Sequence, residues 1–223
     1  MGTHEGHRER LRTAYIDGGF ESMSDYNTLE LLLFYAIPRR DTNEIAHALL
    51  DRFGELDNVL NASIDELQSI DGIGRNAAVL INLIRPLSRK AAVLKSSNIR
   101  CISDSADLEA YLSPRFLHET EEIVIMLCLD SKNSIICCRE VNRGVVNATD
   151  VCIRKIVETA IFNKASSVII AHNHPGGFAI PSREDDMTTM QIKQALHTVG
   201  IRLADHMIIA ENDYVSYADS RRL

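Results

Sequence analysis

The first hundred residues carry the apolar spacing of helices. Apolar side chains recur three and four positions apart, as they do on one face of an α-helix. The stretches are TLELLLFYAI, TNEIAHALLDRF, LDNVLNAS and AAVLINLIRPLSRKAAVL, at 28–37, 42–53, 56–63 and 77–94. Residues that break helices separate them, at Gly18, Gly19, Pro38, Gly54, Gly72 and Gly74. The pattern predicts a small bundle of short helices.

Residue types that cap helices stand at the starts of two of these stretches. Asp41 or Thr42 precedes NEIAHALL, and Ser63 is followed three residues later by Glu66. A serine at this distance from a glutamate is a capping box, in which the two side chains bind free backbone N–H groups of the first helical turn. We therefore expect helices to begin at these two positions.

Beyond Ser96 the apolar period changes toward that of strands. EIVIMLCLD and SIICCREV, at 122–130 and 134–141, flank the turn SKN and predict a β-hairpin. SVIIAHNH at 167–174 predicts another buried strand, and the later short strands are HMIIA and YVSYA. Helical spacing lies between the strands in CIRKIVETAIFNKA and in REDDMTTMQIKQALHTVG, the second ending at Gly200. The alternation predicts a mixed α/β domain.

Length and composition narrow the class of protein. The 223 residues suffice for two small domains, and 45% hydrophobic with 25% charged residues is typical of a soluble globular protein. No apolar run approaches the roughly 20 residues that span a bilayer, and the N-terminus is too polar for a secretory signal. We expect a cytoplasmic protein that does not bind membranes. Five cysteines form no CxxC pair, which predicts reduced thiols and no cysteine metal site.

A formal net charge of −7 is the wrong sign for a broad surface that binds nucleic acid. Any contact with DNA or RNA must therefore be local.

The segment AHNHPGGFAIPSRED, at 171–185, carries the strongest chemical signal. Alternation along a strand directs His172 and His174 to one face and Asn173 to the other. The prolines and glycines that follow reverse the chain, and Asp185 lies three residues after Ser182 in the first turn of the next helix. Two imidazoles and one carboxylate form a three-ligand zinc set that leaves a position for water, as in catalytic zinc sites.

Two other interpretations apply to the same letters. Ser182 with Asp185 is also an ordinary helix cap, and an HxH pair at the end of a strand is often only polar decoration. The string HNH also occurs in the name of a nuclease family. That motif is spread over a ββα hairpin, so three adjacent letters do not indicate it.

With these residues in view, HNHPGGFAIPSRED resembles the H-x-H-x7-S-x2-D signature of JAMM (MPN, or JAB-type) metalloproteins. The chain as a whole resembles the bacterial RadC family, whose segments occur in the same order as LLLFYAIPRRDTNEIAHALLDRFG, GIGRNAA, NATD, ASSVIIAHNHPGG, PSREDD and IRLADHMII. The resemblance implies a small all-helical domain with a helix-hairpin-helix over 1–95. A mixed α/β JAMM (MPN, cytidine-deaminase-like) domain is implied over 101–223.

The resemblance also implies roles for individual residues. His172, His174 and Asp185 would bind Zn²⁺, and Ser182 would donate a hydrogen bond to the oxyanion of the reaction intermediate. The implied activity is that of a metallopeptidase or isopeptidase, with a peptide or isopeptide as substrate.

The glutamate that handles the proton in JAMM proteins precedes the first long strand. Glu122 stands there, directly before IVIMLCLD, and Glu121 is its neighbour. Strand alternation lets only one of the two face the metal. Placement favours Glu122, with a solvent-facing glutamate as the alternative.

Asp205 and His206 also lie in a family-like stretch. A histidine there could form a hydrogen bond to one of the metal ligands. We expect instead that it binds a backbone acceptor in the core, and we leave both residues out of the predicted site.

The segment 58–85 resembles a helix-hairpin-helix, and the RadC family that the chain resembles is associated with DNA repair. Gly72 and Gly74 would let backbone N–H groups approach a phosphate at the start of the next helix, and Arg75 adds a positive charge. Asp65 and Asp71 argue against DNA binding, and such modules also contact proteins. Two alternatives to the hydrolase follow: a DNA-binding, repair-associated protein with a structural metal, and a metal-dependent nuclease.

Overall fold

A computed structural model describes residues 3–144, 149–211 and 213–223. The chain divides into two compact units, one up to Ser88 and one from Arg89 to Leu223. This division falls inside a helix and before the domain boundary predicted between 95 and 101. Of the family-like segment NATD, residues 147 and 148 lie outside the described residues.

The first unit is helical, as the apolar spacing predicts. Its core contains the fully buried Leu29, Leu33, Leu49, Leu67 and Ile81. The elements in order are α1 (Thr3–Gly18), a short 3-10 helix (Phe20–Ser22), α2 (Asp25–Ala36), α3 (Asn43–Phe53), α4 (Leu56–Asn61), α5 (Ile64–Gln68) and α6 (Arg75–Ser96), which continues into the second unit.

The helix caps are partly as predicted. Ser63 and Glu66 form the expected capping box at the start of α5. Thr42 is the N-cap residue of α3 but its side chain makes no capping hydrogen bond. The Asp41 carboxylate instead accepts from the Asn43 N–H, at 3.0 Å. Asp41 therefore stabilises the start of α3 by accepting from the backbone N–H two residues later.

The second unit is a mixed α/β fold, which confirms the predicted class. Among the described residues, five strands run in the order β2-β1-β3-β4-β5, with β3 and β4 parallel and the other pairs antiparallel. The elements are α7 (Ser105–Phe116), β1 (Ile123–Leu129), β2 (Ile135–Arg143), α8 (Thr149–Phe162), β3 (Ser167–Asn173), α9 (Arg183–Thr198), β4 (Arg202–Ile209) and β5 (Tyr214–Ser216).

The sheet is covered on both faces, which explains the continuous apolar runs in its central strands. Met126 and Cys128 of β1 pack in the core that includes Ile156 of α8 and Ile192 of α9. Side chains at alternate positions of β1 pack on the opposite face in the core that includes α7. Every residue of β1 and β3 is therefore buried.

Helix α7 is an element that the polar composition of 96–114 concealed. Its side chains Leu108, Tyr111, Leu112 and Phe116 are buried. Its N-cap residue is Asp104, whose carboxylate accepts from the Asp107 N–H at 2.8 Å.

Two further expectations concern thiols and membranes. Cys101, Cys128, Cys137 and Cys138 are free, with Cys128 buried and Cys101 exposed. Across the described part of the chain, no helix has the length and apolar character needed to cross a bilayer.

Candidate metal centre

The residues of the predicted zinc set meet at one end of β3. His172 is the second-last residue of β3, and His174 is the first residue after the strand. Asp185 lies in the first turn of α9. Between them the chain reverses through the 175–181 loop, in which Gly176 has a φ of 65° and Ala179 is fully buried. The loop therefore brings the carboxylate back to the two imidazoles.

The Nε2 atoms of the two histidines and the carboxylate of Asp185 face a common point. His172 Nε2 lies 3.0 Å from His174 Nε2 and 3.2 Å from Asp185 Oδ1, and His174 Nε2 lies 3.6 Å from Asp185 Oδ2. Atoms that bind a tetrahedral zinc at about 2.0–2.1 Å are about 3.3 Å apart. The spacing fits such an ion, so this group could hold a metal.

The protonation of His174 also fits a metal ligand. Its Nδ1 atom lies 3.1 Å from the carbonyl oxygen of Phe178. A carbonyl oxygen only accepts, so Nδ1 carries a proton, and Nε2 is the ring nitrogen that remains for a metal. The loop thereby fixes the ring with its free nitrogen directed at His172 and Asp185.

Asp185 is held as a carboxylate. Burial by itself raises the pKa of Asp185, but His172, through a hydrogen bond and its charge, and Ser182, through two hydrogen bonds, outweigh burial and hold the pKa well below its usual range. The start of α9 adds the positive end of a helix dipole. The group therefore stays ionised wherever the protein is folded near neutral pH.

Ser182 is the N-cap residue of α9, and it also lines the cavity beside the metal centre. Its hydroxyl and its backbone N–H donate to Asp185 Oδ2, at 2.7 and 2.8 Å, and the hydroxyl accepts from the Asp185 N–H at 3.0 Å. The cap and the site interpretations thus apply to the same residue. The role of Ser182 as an oxyanion donor stays a prediction.

Glu122 shares the cavity with the three candidate ligands, whereas Glu121 does not line it. Val124 pairs with His172 in the β1–β3 ladder, so every second residue of β1 counted from Val124 faces the side of the histidines. Glu122 belongs to that series. The Glu121 side chain is exposed and lies 3.8 Å from the Arg143 guanidinium.

Asn173, between the two histidines, holds the backbone around Glu122. Its side chain points to the other face, as predicted, where Nδ2 donates to the Glu121 carbonyl at 3.0 Å and Oδ1 accepts from the Ile123 N–H at 2.8 Å. These two bonds clamp the peptide groups on either side of Glu122. No pattern in the sequence indicates this clamp beyond the position of the asparagine.

His206 is a residue whose placement the sequence interpretation missed. It was expected to bind a backbone acceptor, but its Nε2 lies 2.8 Å from His172 Nδ1 and its Nδ1 lies 2.5 Å from Thr189 Oγ1. Burial, followed by the charge of His172, lowers the pKa of His206 to about 3, so the ring is neutral near pH 7. The parallel pairing of β3 with β4 creates this contact, and sequence spacing does not reveal it.

The predicted DNA-contacting residues lie in the first unit, in the turn between α5 and α6. Gly72 has a φ of 88°, and a Cβ there would come within 2.8 Å of Ile45 Cδ1. Gly74 has no atom within 4 Å of such a Cβ. Arg75 is the exposed first residue of α6. Binding of DNA by these residues stays a prediction.

Replacing Gly72 with Ala should lower the free energy of unfolding by about 1–3 kcal/mol, because the left-handed backbone and the contact with Ile45 both resist a Cβ. Urea unfolding followed by helical circular dichroism measures the change. Gly74→Ala is the matched control, with open space around its Cβ. Equal effects of the two substitutions would contradict this account of the turn.

Comparison with known proteins places the second unit in a described family. Residues 102–222 match the family described as the RadC-like JAB domain. UPF0758 protein FN0909 of Fusobacterium nucleatum is 36% identical over 223 residues, covering 97% of this chain and 96% of the relative. UPF0758 protein SPO0054 of Ruegeria pomeroyi is 33% identical over 211 residues, covering 95% and 94%. Both similarities extend over nearly the whole chain.

Proposed function

The chain belongs to the RadC family, with the JAMM-type metal-dependent hydrolase fold of its JAB domain, and we propose that it is a zinc-dependent hydrolase of amide or isopeptide bonds. One observation carries the proposal. The ligand atoms of His172, His174 and Asp185 converge within 4.8 Å of one another, and Glu122 lines the same cavity. That set combines a metal site with a carboxylate placed for proton transfer.

A zinc ion at this centre would act as a Lewis acid and lower the pKa of a water molecule to about 7. The chain supplies the proton chemistry. The Glu122 carboxylate would take a proton from the attacking water and deliver it to the leaving amine. The Ser182 hydroxyl would turn from Asp185 to the substrate oxygen, while the Ser182 N–H keeps the carboxylate in place.

The cavity favours a peptide over a phosphodiester. It has a volume of about 540 Å³. Its charged lining residues are Glu122, Glu184 and Asp185, and none of the described lining residues is a lysine or arginine. With Asp185 bound to the metal, Glu122 and Glu184 would still repel a phosphate group, which nucleases bind with cations. The electrostatics therefore weigh against the nuclease alternative.

The remaining wall indicates the kind of side chain that fits beside the scissile bond. Apolar residues dominate it, namely Val124, Ile170, Phe178, Ile180 and Ile192. Phe178 and Ile180 are 77% and 68% exposed, so they form an apolar rim that a substrate would cover. We propose a substrate with an apolar residue next to the cleaved bond.

Replacing Ile180 with Glu should lower kcat/KM for apolar peptides by about tenfold or more, since it places a charge in the apolar rim. Zinc content should stay unchanged. Ile161→Glu is the control, because Ile161 is exposed on α8 and outside this cavity. Equal activity of the Ile180 and Ile161 variants on apolar peptides would contradict the assignment of the rim.

Parallel screening tests the proposed reaction. The zinc-loaded protein and its Glu122→Gln variant are incubated with peptide and isopeptide libraries and with DNA. Cleavage of a peptide or isopeptide by the wild type, lost in the variant, is the expected result. Cleavage of DNA alone would overturn the proposal in favour of a nuclease.

The DNA-binding alternative concerns a different part of the chain. A purely structural zinc usually has four protein ligands, and the described residues supply three here, which favours a catalytic site. DNA binding through 58–85 is compatible with the hydrolase, and Arg75 is exposed there, although Arg85 is paired with Asp57. A gel shift at low salt tests it, and absence of binding to duplex and branched DNA would contradict it.

A further inference from the structure

Two cysteines face each other across the two strands at one edge of the sheet. Cys128 of β1 and Cys137 of β2 are direct partners in the antiparallel ladder, and both thiols are free. We infer that this pair is an oxidation site, at which a peroxide joins Cys128 and Cys137 in a disulfide that ties the edge strand β2 to β1. The inference concerns the sheet and is independent of the proposed hydrolase activity.

The backbone geometry of the pair suits a disulfide. Direct partners in an antiparallel ladder have Cα atoms about 4.5–5.5 Å apart, and disulfides bridge Cα atoms about 4.4–6.8 Å apart. The register shifts beside the pair, where β2 carries one extra residue, Ile136, and Cys128 and Cys137 remain partners next to this shift. The two sulphur atoms can therefore join without a change in strand pairing.

The two side chains also lie on the same face of the sheet. Cys128 belongs to the core that includes Ile156 of α8, and Cys137 packs against that core. Cys138, the next residue of β2, packs against the opposite core, which includes side chains of α7. Of the two adjacent cysteines of β2, Cys137 is therefore the one that directs its sulphur toward Cys128.

The exposure of the two thiols determines which one reacts first. Cys128 is fully buried and Cys137 is partly exposed, so a peroxide in solution reaches Cys137. Burial, followed by interaction with the Cys137 thiol, raises the pKa of Cys128 and keeps that thiol protonated. The Cys137 sulphur attacks one oxygen of hydrogen peroxide and the O–O bond breaks. Cys137 becomes a sulfenic acid, and one water molecule is released.

The second step joins the two strands. The Cys128 sulphur attacks the Cys137 sulphur, the S–O bond of the sulfenic acid breaks, and the Cys128 proton leaves with the hydroxide as water. In total, two thiols and one hydrogen peroxide give one disulfide and two water molecules. Cys128, which solvent does not reach, is thus the thiol that resolves the sulfenic acid.

Peptide mapping tests the site. The protein is treated with hydrogen peroxide, its remaining thiols are blocked, and the monomer is digested with trypsin without reduction. Cys128 lies in the tryptic peptide 116–132, and Cys137 shares the peptide 133–139 with Cys138. The expected product is these two peptides joined by one disulfide.

The adjacent cysteines of β2 supply a matched pair of variants. Cys138→Ser should keep the wild-type yield of linked peptides. Cys137→Ser should lower that yield at least about tenfold, because the cysteine that remains in its peptide faces the opposite core. Equal yields from the two variants, or no linked peptides from the wild type, would overturn the inference.

Thermal unfolding tests the tie between the strands. β2 pairs with β1 and with no other described strand, so the disulfide would secure the edge of the sheet. Oxidised Cys138→Ser should melt about 5–10 °C above its reduced form, since a disulfide across a short loop limits the unfolded chain. Cys137→Ser, treated with the same peroxide, is the control and should show no such rise. A linked protein that melts no higher than the reduced protein would contradict the proposed tie.

Discussion

The Asp185→Asn variant is expected to lose stoichiometric zinc. The wild-type carboxylate brings a negative charge within 3.2 Å of His172 Nε2, and its pKa is held well below the usual range, so it is a ligand that needs no deprotonation. An amide is neutral and a weak zinc ligand. Affinity should fall at least about a hundredfold, beyond the loss seen for partners behind a ligand. Metal analysis after dialysis and chelator competition measure it.

Asparagine is the informative replacement because it preserves the start of α9. Its side-chain oxygen can still accept from the Ser182 N–H, so the helix cap is kept while the charge is removed. Asp186→Asn, which changes a neighbouring carboxylate paired with Arg222, is the matched control. His172→Ala should behave like Asp185→Asn, and His197→Ala, at the exposed end of α9, should not. Retention of one zinc per chain in Asp185→Asn would contradict the ligand assignment.

The local parts of this site can be predicted from the sequence because they depend on short-range geometry. Strand alternation directs His172 and His174 to one face, and the glycines and prolines that follow can only reverse the chain. Ser182 and Asp185 are three residues apart, a distance that a first helical turn converts into contact. Each of these relations spans a few residues, so spacing alone predicts it.

The parts of the site that depend on strand pairing cannot be predicted in this way. His206 reaches His172 because β4 lies parallel to β3, and no local pattern states which strands are neighbours. The clamp of Asn173 on β1 likewise joins residues about fifty positions apart. Helix α7 was not predicted, because its four buried apolar positions lie in a segment of polar composition. The pairing and register of distant strands, rather than residue type, determine which residues support the metal centre.

The Glu122→Gln variant is expected to keep its zinc and lose turnover. Glu122 lines the cavity but is not one of the three groups whose atoms converge, so metal affinity should stay close to that of the wild type. A glutamine cannot take up and release the proton that passes from water to the leaving amine. General acid–base catalysis contributes about a hundred- to ten-thousandfold, and kcat should fall by that factor with little change in KM.

Glu121→Gln is the matched control for this prediction, since it makes the same chemical change one residue earlier. The Glu121 side chain is directed at Arg143 and is absent from the cavity lining, so its loss should leave kcat unchanged. The backbone clamp by Asn173 uses the Glu121 carbonyl and survives in both variants. Because the two variants share charge, size and backbone contacts, a difference between them isolates the position of the carboxylate. Equal kcat values for the two variants would contradict a role for Glu122 in the reaction. A low kcat in Glu121→Gln together with a wild-type kcat in Glu122→Gln would assign the role to Glu121.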